Sequence, residues 1–133
     1  MENLIITRNE NISARELNEL YRTNQWQIEP VEKLEKSLKT IWGCITARTP
    51  ENELIGFVEV ISDGIQHAYI LKMIVHPDYR RQGIGSRIMK ELMNLLNENK
   101  MLPTLVSTPG NEKFYEKFGF KTVCHGLTAM CIR

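Results

Sequence analysis

Apolar and polar positions along this chain repeat with two periods, and the switches between them predict its elements. Residues 3–7 form a short apolar run of strand type, and Ser13-Ala14-Arg15-Glu16 is a capping box that opens a helix to about Tyr21. Pro30 stands where a second helix can start, with Val31, Leu34 and Leu38 as its apolar stripe. Residues 41–47 and 54–62 then read as strands. Asp63-Gly64 is a two-residue hairpin signal leading into an almost unbroken apolar strand over 69–75. The period changes again at Ile84, Ile88, Leu92, Leu95 and Leu96, a helix over about 83–99. A strand over 102–107, a short helix over 111–118 stopped by Gly119, and two terminal strands over 121–133 complete the order. This predicts an α/β fold: a mixed, mostly antiparallel sheet with helices on both faces.

Between the strand ending at Val75 and the helix from Gly83 lies a glycine loop. Gly83 and Gly85 lack Cβ atoms, so backbone can approach a ligand and present successive N–H groups, and the helix adds about half a positive charge at its N-terminus. This is an anion site. A Walker A loop requires a Gly-Lys pair, which the chain lacks, and a dinucleotide fingerprint requires a small residue where Ile88 stands. What remains is [RQ]-x-x-G-x-[GA], matched by Arg80, Gly83 and Gly85, and here the sequence resembles the GNAT superfamily of acetyl-CoA-dependent N-acetyltransferases. Phe114-Tyr115-Glu116-Lys117-Phe118-Gly119-Phe120 is similar to the second hallmark of that family, about thirty residues on. The resemblance runs from Ile41 to the C-terminus.

The resemblance implies a parallel central strand pair that splays apart to admit the pantetheine arm of acetyl-CoA. It implies that Met73 and Val75 offer backbone groups to that arm, and that Arg81, Gln82, Gly83, Ile84, Gly85 and Ser86 cradle the pyrophosphate with Arg80 adding charge. Tyr115 is then the catalytic candidate, facing the CoA sulfur. With reference pKa values of about 10 for tyrosine and 8.5 for a thiol, full proton donation is uphill by roughly 2 kcal/mol, so a strong hydrogen bond to the leaving thiolate matters more. Asn111 has two readings, a CoA contact or a helix cap.

Direct attack also needs a base, because deprotonating an alkylamine of pKa about 10.4 at neutral pH costs roughly 4 kcal/mol. Glu59 is the first candidate, ahead of His67 and Glu112. A two-residue turn would set Glu59 opposite Ala68, on one sheet face with Ile70 and Lys72. His76, held extended by Pro77, reads as structural. Lys72 interrupts an apolar strand, so it snorkels to the cleft mouth or meets an anion; lining the cleft would mean an acceptor with a carboxylate or phosphate beside its amine.

A chain of 133 residues suits one domain over 1–133, and a net charge of +1 without a basic stripe argues against nucleic acid. No apolar run is long enough for a membrane span, and the cytoplasm is the expected location. Cys44, Cys124 and Cys131 read as reduced, buried thiols. The function expected is acetyl transfer from acetyl-CoA to a small-molecule primary amine. The alternatives are a protein N-terminal or lysine acetyltransferase and a non-catalytic acyl-CoA sensor. A homodimer through the terminal strands is allowed by analogy only.

Overall fold

The computed structural model of the chain describes residues 3–122 and 126–132. Among these residues five strands form one sheet in chain order: β1 (Ile5–Arg8), β2 (Gly43–Arg48), β3 (Leu54–Ile61), β4 (His67–Val75) and β5 (Leu102–Leu105). All neighbours are antiparallel except β4 and β5, which run parallel. The crossover between those two is α3 (Ile84–Glu98), as a parallel pair requires. Helices α1 (Ala14–Thr23) and α2 (Val31–Thr40) lie between β1 and β2, and α4 (Glu112–Glu116) follows β5.

The two sheet faces bury separate clusters. On one, Leu17, Leu20 and Tyr21 of α1 and Leu34 of α2 meet Cys44, Phe57 and Ile74. On the other, Ile84, Ile88, Met89, Leu92 and Leu96 of α3 meet Ile45, Ile55, Val58, Val60 and Ile70. Leu92 is wholly enclosed, so Leu92→Ala would cost about 2–5 kcal/mol through lost burial and a cavity. The capping box forms as expected: Glu16 N–H donates to Ser13 Oγ at 3.1 Å, and Ser13 N–H to Glu16 Oε2 at 2.8 Å.

Three expectations need correction. The hairpin is wider than two residues, because Gly64 N–H donates to Ser62 Oγ at 2.9 Å and Ile65 N–H to Asp63 Oδ1 at 2.9 Å, building a turn from side chains. Glu59 therefore pairs with Leu71 rather than Ala68, and Ile70 belongs to the opposite face, in the α3 cluster. The terminal strands are absent from 121–122 and 126–132 apart from a single bridge at Leu127, and 123–125 and 133 lie outside the described residues. Cys44 is buried, but Cys131 is exposed, since no strand carries it into the core; Cys124 is outside the described residues. Among the described residues no helix is long and apolar enough to cross a membrane.

Candidate active site

One extra residue in β4 shapes the site. Phe57 pairs with Ile74 and Glu59 with Leu71, so Val58 of β3 faces two residues of β4, Lys72 and Met73, and Lys72 absorbs the surplus with φ +60°. Beside this bulge the parallel partner departs, because β4–β5 pairing ends at Ile70↔Leu105. A cavity of about 360 Å³ opens where pairing stops, lined by residues 69–73, residues 105–109 and Tyr115. Met73 lines it directly. His76 N–H bonds Ile55 O at 2.8 Å, which by strand alternation turns the peptide groups of Val75 away from β3 and towards the gap.

At the far end of β4 the glycine loop lines a second cavity, of about 390 Å³, with Val75, Arg80, Arg81, Gly83, Ile84, Gly85 and Ser86 in its wall. Gln82 is not in that wall. Gly83 is the N-cap of α3 with φ 76°, a left-handed conformation that costs other residues strain, and no side chain caps the helix there. The first N–H groups of α3 thus have no side-chain acceptor in the loop. Gly85 has a packing reason: a Cβ there would lie 3.3 Å from Met73 Cε and Phe114 Cζ.

Two residues at this end gave no sequence signal. Lys117 brings its Nζ within 3.5 Å of Ser86 Oγ and 4.9 Å of the Phe114 ring centre, adding a cation to the loop cavity. In the sequence it is one more surface lysine. Asn24, at the C-terminus of α1, donates from Nδ2 to Val75 O at 3.1 Å and accepts at Oδ1 from Arg80. It fastens the α1 end to the strand and the arginine expected at the pyrophosphate. Asn111 caps nothing with its side chain; its Nδ2 donates to Thr108 Oγ1 at 2.6 Å, and it lines neither cavity.

Tyr115 is half-buried, stacked edge-on with Phe114 and Phe120, and burial raises its phenol above the usual tyrosine range. It stays protonated at neutral pH and can donate into the first cavity. Glu59 sits on the α1 face of β3, only 6% exposed, and accepts no hydrogen bond from the described residues. Burial raises its carboxyl above the ordinary range, with the Lys72 charge pulling the other way. Above Glu59, the exposed Lys72 lays its ammonium 5.7 Å from the Tyr21 ring centre and 5.9 Å from that of Trp26. Those rings stack at 5.5 Å, and Tyr21 too is raised, by burial first and then by the charges of Glu59 and Glu29. The sequence pattern marks neither aromatic as part of a site. Of the lesser base candidates, His67 begins β4 at the hairpin end, and Glu112, at the start of α4, takes its bond from Gly110 N–H at 3.0 Å. His76 accepts from Asp78 N–H at 3.1 Å, as a turn residue does.

The splayed pair, the glycine loop and the tyrosine on α4 meet a matching family description: residues 39–122 fit the acetyltransferase (GNAT) domain. The chain belongs to the GNAT acetyltransferase family. This GNAT chain is 28% identical to an uncharacterized N-acetyltransferase, ycf52, of Pyropia yezoensis over 97% of its own length and 76% of the relative's. A GNAT family acetyltransferase of Streptococcus pneumoniae superposes with a TM-score of 0.77 at 26% identity, covering 98% of this chain and 99% of that one. The YhbS N-acetyltransferase of Escherichia coli, solved in complex with CoA, shares the fold at a TM-score of 0.71 and 23% identity, over 90% of this chain and 69% of that one.

Proposed function

We propose that this acetyltransferase moves acetyl from acetyl-CoA to the primary amine of a small molecule, by direct attack in a ternary complex. The observation that carries the reading is the end of β4–β5 pairing at Ile70↔Leu105, which opens a cavity reaching Tyr115 while Val75, at the other end of β4, lines the glycine-loop cavity. One strand thus spans a slot for a pantetheine arm and a cradle for its pyrophosphate. The CoA held by the structurally similar YhbS supports the same donor.

In this reading the amine nitrogen bonds the thioester carbonyl carbon, and the carbon–sulfur bond breaks with its electron pair going to sulfur. Glu59, directly or through water, takes the proton lost by nitrogen; Tyr115 donates a hydrogen bond to the departing thiolate. The loop amides, Arg80, Arg81 and Lys117 offset the phosphate charge. Exposed Leu127, Met130 and Ile132 support a homodimer as the working form, which sedimentation velocity reads directly. Calorimetry with acetyl-CoA, followed by thiol release with a panel of small amines, tests the reaction. Binding followed by amine-dependent release is expected. No binding, or release only with peptides, would replace the reading.

A further inference from the structure

The groups around the bulge carry two opposite charges that do not pair. Glu59 is more than nine-tenths buried and accepts no hydrogen bond from the described residues, and among these no unpartnered side-chain oxygen is fully sealed, so its carboxylate keeps an opening. Lys72 is the opposite charge that acts on it, but the two form no ion pair within 4.0 Å. The lysine instead lies across Tyr21 and Trp26, a cation–π seat that holds its ammonium in place while leaving it exposed. Glu29, the other carboxylate acting on Tyr21, has its own partner in Lys33 at 3.5 Å. Among the described residues, what remains at the bulge is one anion and one cation, separated.

We propose that the acceptor is a zwitterion of amino-acid type, its amine directed to Glu59 and its carboxylate, a few bonds away, held by Lys72. The inference rests on the acetyl-transfer reading of this site. A simple alkylammonium entering here meets Glu59 but also Lys72, and a diamine or a lysine-rich peptide adds a second cation to the same repulsion. A pure anion is opposed by Glu59. A ligand with both charges satisfies both residues, and its amine loses the proton to the buried carboxylate as the nitrogen–carbon bond forms.

Three acceptors of matched length test this: 3-aminopropanoate, propylamine and 1,3-diaminopropane, each with acetyl-CoA and the full chain. Thiol release gives kcat/KM, and calorimetry with acetyl-CoA monitors the donor site and the fold of every variant. Wild type is expected to favour 3-aminopropanoate over propylamine by about tenfold, Lys72→Arg to keep that ratio, Lys72→Met to bring it near one, and Lys72→Glu to favour the diamine. A ratio in wild type near one, a preference for either other amine, no turnover of 3-aminopropanoate, or a ratio unmoved by Lys72→Met would each overturn the inference. The two readings fail differently. Loss of the zwitterion preference with propylamine still acetylated leaves acetyl transfer standing; no acetyl-CoA binding by wild type removes both.

Discussion

In the proposed reaction Tyr115 and Glu59 act from opposite faces of the sheet, and burial moves both titrations upward. For the tyrosine this preserves a donor. Tyr115→Phe is expected to lower kcat by about 10- to 100-fold while the Kd for acetyl-CoA changes by less than about twofold, the pattern of an interaction made mainly in the transition state. Single-turnover kinetics and calorimetry separate the two. For Glu59 the raised pKa has a cost to folding. Because the folded state binds this proton more tightly, its stabilisation is complete below the unfolded value near 4.5 and is lost as pH rises through the folded value. Glu59→Gln removes that loss: it should cut the rate of acetyl transfer while matching or exceeding the wild-type Tm at pH 7.5, an advantage that shrinks as pH falls towards 4.5. Lys72→Met, which takes away the charge opposing the shift, should move the acidic limb of kcat/KM to higher pH. A limb that stays in place would detach Glu59 from the proton transfer.

Among elements, those legible in the sequence carry their own local chemistry. The α1 start is a self-contained pair of hydrogen bonds between Ser13 and Glu16, and α3 repeats its apolar face with helical period over four turns. The glycine loop was legible for the same reason: Gly83 needs φ 76° whatever surrounds it. The bulge was not, because it arises from pairing β4 with β3 on one side while β5 leaves on the other, and only the odd Lys72 marks it. Tyr21, Trp26, Asn24 and Lys117 give no signal in the sequence pattern, because only tertiary contacts place them. At the α3 start the strain and the charge of a substitution can be separated. A Cβ at Gly83 meets nothing within 4 Å, so Gly83→Ala brings only backbone strain, of about 1 kcal/mol. Gly83→Asp adds a negative charge at the proposed pyrophosphate. Acetyl-CoA affinity by calorimetry should fall a few-fold for alanine and by more than about 30-fold for aspartate, with unchanged circular dichroism. Equal losses would leave loop geometry, rather than anion recognition, as the reason for glycine.

Across the whole molecule, the proposed acceptor side is bordered by α1, which is fastened to the sheet at both ends. Arg48 of β2 is buried and donates from Nε to Glu10 and from Nη1 to Glu16, each at 2.8 Å, and from Nη1 to Asn52 O at 3.0 Å. This joins the first turn of α1 to β2 and to the loop before β3, while Asn24 secures the other end of the helix at Val75 and Arg80. Tyr21, the aromatic seat of Lys72, lies between those anchors. Removing one partner strands the others, so Arg48→Met should destabilise the fold by about 2 kcal/mol, below the roughly 3–5 kcal/mol of a fully enclosed pair because both glutamates reach solvent. Burial alone would raise Glu16, but bonds from Arg48 and Ser13 outweigh it and hold the carboxyl below its usual value. A depressed carboxylate stabilises above its unfolded pKa near 4.5 and ceases to do so as pH falls through the folded one. Urea titrations should therefore show the gap between wild type and Arg48→Met narrowing in acid. If α1 positions the acceptor, the same variant should raise the KM for the amine more than that for acetyl-CoA; equal increases would assign Arg48 to stability alone.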